Sequence, residues 1–220
     1  LLFRALPQGC AHGKTCMRPD AVEIGADGWA MSGAEIHPSP HFDARETAPE
    51  DVHLVVLHNI SLPPYMFHTG VVREFFCGTL DFDIEPDARV RSLRNLRVSS
   101  HFLITRKGTI EQFVSCCDRA WHAGVSQFMG REKCNDFSIG IELEGSDFVP
   151  FEQVQYEKLC NLLAAIDARY GLAYIVGHSD IAPSRKTDPG PYFDWAKLKV
   201  ACSAFGSPEF PGAAAGACGV

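Results

Sequence analysis

Strand-like and helix-like patterns of apolar residues alternate through the middle of the chain. Residues 54–57 and 173–176 are almost wholly apolar, which predicts two short buried strands. Residues 138–143 alternate with period two, so one face of this strand should pack on the core. The apolar runs 101–105 and 110–114 flank a short polar turn that contains glycine, and they predict a β-hairpin.

One long segment has the periodicity of an amphipathic helix. Between residues 152 and 170, apolar side chains recur at the three- and four-residue spacing of one helix face, and Gly171 is placed to end the helix. These side chains are Leu159, Leu162, Leu163, Ile166 and Tyr170. Together with the strands, and without an internal repeat, the pattern predicts a single α/β domain with a central mixed β-sheet flanked by helices.

Residues 62–97 break the pattern. They contain Pro63, Pro64 and Pro86 among several charges, which predicts a long excursion with little regular structure. Excursions of this length are uncommon unless they have a function. We therefore expect this segment to form a wall or lid of a functional site.

The two ends of the chain are also irregular. Residues 1–24 have no clear periodicity, and residues 203–220 are rich in small residues and helix breakers. We expect a loose extension at each end of one domain that spans residues 25–202. The first residues are too broken for a secretory segment, and no apolar run approaches the roughly 20 residues of a membrane span, so a cytoplasmic protein without membrane partners is expected.

Charge and cysteine content narrow the class of protein. The formal net charge of -7 argues against nucleic acid as a partner, because a basic patch supplies most of the affinity for phosphates. The nine cysteines include no Cys-x-x-Cys pair, so they resemble neither a disulfide framework nor a cysteine zinc site. Scattered reduced thiols are expected, as in a cytosolic protein.

Three residues suggest a metal site. His178 follows the predicted strand 173–176, and Asp188 lies ten positions further on. His58 ends the predicted strand 54–57 and is the best candidate for a third ligand. Two imidazoles and one carboxylate suit Zn²⁺ in a hydrolase, where a fourth position stays open for water or substrate.

A zinc hydrolase also needs a group that moves protons and a group that stabilises negative charge. Glu142 and Glu144 share the polar face of the strand 138–143, so periodicity does not separate them, and we choose Glu142 as the acid/base. Lys186, two positions before Asp188, could stabilise the oxyanion of a tetrahedral intermediate.

Five blocks of sequence, in order, resemble the AmpD-type 1,6-anhydro-N-acetylmuramoyl-L-alanine amidases. The resemblance covers about residues 25–201 and leaves both ends outside it. The blocks are HNISLPP at 58–64, RVSSH at 97–101, RAWHAGVS at 119–126, NDFSIGIELEG at 135–145 and GHSDIAPSRKTDPGP at 177–191.

The resemblance implies a fold, a reaction and residue roles. The fold is the zinc amidase fold shared with phage lysozyme-like amidases and peptidoglycan recognition proteins. The ligands of Zn²⁺ would be His58, His178 and Asp188, with Glu142 as catalytic acid/base and Lys186 polarising the scissile carbonyl. The reaction is hydrolysis of the amide between the lactyl group of anhydro-muramic acid and L-alanine of the stem peptide, in murein recycling, which also influences β-lactamase induction.

Four residues are candidates for binding this substrate. Arg97 and Lys133 would complement the carboxylates of the stem peptide, although related sequences usually have arginine at the position of Lys133. Trp121 offers a flat apolar face to the sugar or peptide, and Asn59 a side-chain amide beside the metal. His101 and His122 are interpreted as structural histidines.

Two alternatives remain. A muropeptide-binding module could keep the fold without catalysis, but such modules usually lose a metal ligand, and here all five catalytic positions match. A periplasmic relative could trim intact murein, but no signal peptide is visible and the excursion fits the cytoplasmic type. We expect a monomer whose partner is the anhydro-muropeptide substrate.

Overall fold

The computed structural model describes residues 21–212 of the chain. Within these residues, the strands in chain order are Glu23–Ile24 (β1), Ala30–Ser32 (β2), Glu35–Ile36 (β3), Phe42–Ala44 (β4), Leu54–Ile60 (β5), Phe102–Ile104 (β6), Ile110–Gln112 (β7), Asp118–Ala120 (β8), Gln127–Phe128 (β9), Arg131–Glu132 (β10), Ser138–Glu144 (β11) and Tyr174–Gly177 (β12). The α-helices are Val71–Phe76 (α1), Ala88–Arg91 (α2), Gln153–Tyr170 (α3), His178–Ile181 (α4) and Trp195–Cys202 (α5).

A six-stranded mixed sheet forms the centre of the domain, with the spatial order β12-β5-β11-β6-β7-β3. The strands β12, β5, β11 and β6 run parallel to one another, and β6 and β7 form the predicted antiparallel hairpin. The remaining short strands pair as β1-β2, β4-β8 and β9-β10. The predicted α/β fold with a central mixed sheet is therefore confirmed.

One face of the sheet packs on the long helix. Val55 and Leu57 of β5 and Ile139 and Ile141 of β11 join a buried cluster with the apolar side of α3, and α5 packs against α3. The helix ends at Gly171, whose φ of 69° is left-handed and favours glycine. The helix predicted from periodicity is thus present, with its end at the expected residue.

The opposite face of the sheet is covered by two separate clusters. The first is formed by the excursion 62–97, whose helices α1 and α2 pack with Leu103 of β6. The second contains Leu54 and Val56 of β5 with Ile181 of α4. His58 lies on this same face, because it is an even number of positions from Leu54 and Val56. The excursion is mostly irregular, as predicted, apart from these two short helices.

Three boundaries differ from the predicted ones. The strand β5 does not end at His58 but continues to Ile60, because β11 supplies pairing partners for Asn59 and Ile60. A loose tail is expected from Ser203, whereas the described part of it, residues 203–212, lies against the sheet, with Glu209 hydrogen-bonded to Ala173 and Ile175. Residues 21–24 likewise belong to the fold, since β1 pairs with β2.

Three further expectations concern the ends of the chain, its cysteines and membrane spans. The predicted loose residues 1–20 and 213–220 lie outside the described residues. In the described part, Cys77, Cys116, Cys117, Cys134, Cys160 and Cys202 are free thiols. No helix among the described residues combines the length and apolar character needed to cross a membrane.

Candidate active site

The three predicted ligand residues meet at one end of the parallel strands. His58 lies on β5, His178 begins α4 directly after β12, and Asp188 follows in the next loop. The Nδ1 atoms of the two histidines are 2.9 Å apart, and Asp188 Oδ2 lies 2.9 Å from Nδ1 of His58 and 3.1 Å from Nδ1 of His178. His178 and Asp188, which are 120 and 130 positions from His58 in the chain, thus meet it at a single point.

The loop that carries Asp188 is fixed against the end of β12. Ser179 N–H donates a hydrogen bond to the carbonyl oxygen of Asp188 at 2.9 Å. A Cβ atom at Gly177 would lie 2.7 Å from Pro189 Cδ, which is too close. The absence of a side chain at Gly177 therefore lets the loop close over the strand and place Asp188 beside His178.

The donor set suits a divalent cation. Burial lowers the pKa of His58 to about 4, so its imidazole is neutral and retains a lone pair. Burial alone would raise the pKa of Asp188, but its close contacts with His178 and His58 hold it well below its usual range. Two Nδ1 atoms facing each other can share only one proton, whereas a cation satisfies both of them and the carboxylate together. Two imidazoles and a carboxylate are common zinc ligands.

Glu142 lies beside this group, paired with His58 in the register of β11 and β5. Its carboxyl group is buried, and its Oε2 atom has no hydrogen-bond partner among the described residues. Burial and the nearby charge of Asp188 raise the pKa of Glu142 well above its usual value, while Lys186 acts in the opposite direction. An unpaired buried carboxyl oxygen is costly, and it makes this group a candidate for exchanging protons with a bound molecule.

Glu144 has different surroundings. Its Oε1 atom accepts a hydrogen bond from the backbone N–H of His68, and its Oε2 atom accepts one from the backbone N–H of Arg106 at 2.9 Å. Both carboxylate oxygens are therefore used to hold the excursion and the β6-β7 turn. The structure thus separates two residues that periodicity leaves equivalent.

The predicted ligands, Glu142 and Lys186 line a common cavity of about 250 Å³. Its apolar wall comes largely from the excursion, through Leu62, Phe75, Phe76, Leu93 and Leu96. The excursion therefore forms a wall of the site, one of the two arrangements expected for it.

Two of the four predicted substrate-binding residues also line this cavity. The side-chain amide of Asn59 donates to Asp147 Oδ1 at 2.8 Å and to the Pro189 carbonyl oxygen at 3.1 Å. The indole N–H of Trp121 donates to Asp43 Oδ1 at 3.1 Å. Both side chains are thus held in place beside the candidate metal position.

The two predicted basic residues lie outside this cavity. Arg97 lines a neighbouring depression of about 270 Å³, where its guanidinium donates to the carbonyl oxygens of Arg94 and Leu96. Lys133 lines a wider groove of about 750 Å³, which it shares with Arg185. The structure does not bring either residue to the metal ligands.

Three residues around the site make contacts that the sequence does not predict. His122, interpreted above as structural, contacts His58. Asp147 accepts hydrogen bonds from both Asn59 and Thr187. Asn59 comes just before the excursion in the chain, and Thr187 comes after α4. Arg185 donates to the carbonyl oxygens of Ala123 and Val125 at 2.7 Å. The blocks 119–126 and 177–191 contain His122 and Arg185 but indicate none of these contacts, and Asp147 lies outside all five blocks.

A second group of potential ligands, Glu35, His37 and Glu111, lies near the edge of the sheet. Arg73 occupies it, with its Nε donating to Glu111 Oε2 at 3.0 Å and its terminal nitrogen paired with the other oxygen. The Arg73 guanidinium already pairs with both carboxylates, so the group is an ion-pair network.

The comparisons with known proteins identify the family. Residues 48–191 match the family model of N-acetylmuramoyl-L-alanine amidases. The chain therefore belongs to the N-acetylmuramoyl-L-alanine amidase family, a family of hydrolases.

Particular relatives refine this class. The chain is 52% identical over 162 residues to the 1,6-anhydro-N-acetylmuramyl-L-alanine amidase AmpD of Haemophilus influenzae, covering 72% of this chain and 86% of that protein. A crystal structure of an AmpD derivative is 46% identical with a TM-score of 0.72, covering 80% of this chain and 97% of that one. The amidase AmiD of Escherichia coli, solved with anhydro-N-acetylmuramic acid-L-Ala-D-γ-Glu-L-Lys, is 30% identical with a TM-score of 0.50, covering 84% of this chain and 66% of that one.

Proposed function

We propose that this chain hydrolyses the amide bond between the lactyl group of 1,6-anhydro-N-acetylmuramic acid and L-alanine of the stem peptide, with Zn²⁺ bound by His58, His178 and Asp188. The observation that carries the proposal is the meeting of these three ligands beside the unpaired carboxyl oxygen of Glu142. The names of the relatives and the anhydro-muropeptide bound to AmiD support this substrate class.

Each residue of the site has a separate role in the proposed reaction. When bound, zinc supplies Lewis acidity, which polarises the scissile carbonyl group and makes water acidic enough to attack near neutral pH. Glu142 accepts the proton of the attacking water and delivers it to the leaving nitrogen of L-alanine. The new C–O bond forms first and gives a tetrahedral intermediate, and the C–N bond breaks as Glu142 delivers its proton to nitrogen. The remaining proton of the water passes to the released amine, which leaves a lactyl carboxylate and an ammonium group.

Lys186 and the apolar wall assist this chemistry. The ammonium group of Lys186 acts electrostatically on both Glu142 and His58, so it lies near the reacting centre. It would neutralise the negative charge that develops on the carbonyl oxygen. The apolar wall of the excursion would limit access of bulk water, which would strengthen these interactions.

The remaining assignments follow the resemblance to the AmpD type. We infer that the enzyme acts in the cytoplasm as a monomer, on recycled fragments of the cell wall, and so influences β-lactamase induction. Asn59 and Trp121 would contact the part of the substrate nearest the metal. Arg97, in the neighbouring depression, and Lys133, in the wider groove, would contact carboxylates further along the stem peptide.

Metal removal and substrate choice test the proposed function together. Dialysis against a strong chelator should abolish hydrolysis of anhydro-muramyl peptide, and added Zn²⁺ should restore it, as followed by release of free peptide. Reduced muramyl peptide and insoluble sacculi, assayed in parallel, should be poorer substrates. Full activity without metal would exclude the mechanism. A preference for sacculi would favour a periplasmic-type amidase, and binding without hydrolysis would favour a recognition module.

A further inference from the structure

His58 makes a second contact on the side of its ring that faces away from the candidate metal position. Its Nε2 atom lies 3.0 Å from Nδ1 of His122, and the two rings meet edge to face at 83°. An imidazole that offers a lone pair at Nδ1 must carry its proton at Nε2. The partner at Nε2 therefore decides which nitrogen of His58 is available to a cation.

The hydrogen bonds of Ser138 determine which nitrogen of His122 carries a proton. Ser138 Oγ has one proton, and it donates this proton to the carbonyl oxygen of Cys134 at 2.6 Å. The 3.3 Å contact between Ser138 Oγ and Nε2 of His122 must then be donated by His122. In a neutral ring, this leaves Nδ1 of His122 without a proton, so it accepts from Nε2–H of His58.

The position of the His122 ring depends on its neighbours in the chain and across the sheet. The side-chain oxygen of Asn135 accepts hydrogen bonds from the backbone N–H groups of His122 and Ala123 at 3.2 and 2.8 Å. Gly140 of β11 leaves the space that the ring fills, since a Cβ atom there would lie 2.5 Å from Cγ of His122. Both packing and hydrogen bonds therefore fix the position of the acceptor, the Nδ1 atom of His122.

We propose that His122 is a positioning residue whose Nδ1 atom fixes the ring of His58 with its proton on Nε2 and its Nδ1 lone pair directed at the metal. The other imidazole ligand is held in the same way, because Nε2 of His178 lies 3.0 Å from the carbonyl oxygen of Ala123. Hydrogen-bond partners of this kind orient metal ligands and raise their affinity. The inference rests on the proposed zinc site.

Two matched variants test it through zinc affinity. His122→Leu fills the space without an acceptor, whereas His122→Asn places an amide oxygen at about the position of Nδ1. We expect His122→Leu to weaken zinc binding by about 10- to 100-fold in competition with a chromophoric chelator. His122→Asn should bind zinc far more tightly than His122→Leu. The melting temperatures of the zinc-free proteins show whether either variant is merely unfolded.

A measurement on the unaltered zinc-loaded protein covers the case in which the variants do not fold. Long-range ¹H–¹⁵N correlation spectra should show the proton of His122 on Nε2 and none on Nδ1. A proton on Nδ1, equal zinc affinity in His122→Leu and the parent, or equal losses in both variants would each overturn the inference. A parent chain that does not bind zinc would instead contradict the proposed function and remove the basis of this inference with it.

Discussion

Glu142 and Glu144 are two positions apart on the same side of β11, yet they have different uses. Periodicity places both carboxyl groups on one face, and this part of the site could be predicted from the sequence. The distinction depends on backbone N–H groups at His68 and Arg106, which reach Glu144 from distant loops. Such contacts leave no local pattern. The role of His122 was missed for the same reason, because its partner His58 is 64 positions away.

Among single substitutions, Glu142→Gln should lower turnover by at least about a hundredfold, the usual contribution of a general acid/base. The amide has nearly the same shape but cannot accept the proton of water. Zinc affinity should be retained, since Glu142 is not one of the three ligands. Turnover numbers and zinc titrations measure the two effects separately.

Glu144→Gln is the matched control for this change. It alters a carboxyl group on the same strand that is already hydrogen-bonded, so it should lose much less turnover. Near-normal turnover in Glu142→Gln, or equal losses in both variants, would remove Glu142 from the proposed role.

The elements most clearly predicted are those with a strong local pattern. The hairpin and α3 were predicted because alternation and helical spacing depend only on neighbouring residues. The extension of β5 to Ile60 was not predicted, because it depends on pairing with β11. The same applies to residues 203–212, since the backbone of Glu209 finds its partners at the edge of the sheet, in Ala173 and Ile175. Composition alone makes this segment look like a loose tail.

One side chain joins two of the elements that carry metal ligands. Asp147 accepts from the Asn59 amide at 2.8 Å and from the Thr187 hydroxyl at 2.5 Å. Asn59 follows His58 on β5, and Thr187 precedes Asp188 in its loop. Asp147 therefore ties the strand that carries one ligand to the loop that carries another.

We expect Asp147→Ala to weaken zinc binding by about tenfold, because the strand and the loop lose their link. Asp147→Asn can still accept from Asn59 and can donate to Thr187, so it should lose less affinity. Zinc titration of both variants provides the comparison. Unchanged affinity in Asp147→Ala would show that the loop holds Asp188 without this link.

Across the whole molecule, stability and chemistry depend on opposite faces of the same sheet. The largest buried cluster lies between the sheet and α3, whereas His58 and Glu142 lie on the other face, between the excursion and the cluster around α4. Changes beneath α3 should therefore affect unfolding without altering the metal site.

Leu163→Ala, at a fully buried position of α3, should reduce the free energy of unfolding by about 2–5 kcal/mol. Zinc affinity should stay at the parent value, because the cavity is made on the far side of the sheet. Denaturant unfolding of the zinc-free protein and zinc titration of the folded protein measure these quantities. A loss of zinc affinity as large as that expected for His122→Leu would mean that the two faces are coupled.

The register of β5 against β11 has a further consequence. It sets His58 opposite Glu142 and, one position earlier, Leu57 opposite Ile141. Because successive side chains of a strand point to opposite faces, insertion of one residue upstream in either strand would move that strand's side chains at these positions to the opposite faces. His58 or Glu142 would then be forced under α3, and Leu57 or Ile141 would face the candidate metal position. A single insertion would therefore damage both folding and catalysis.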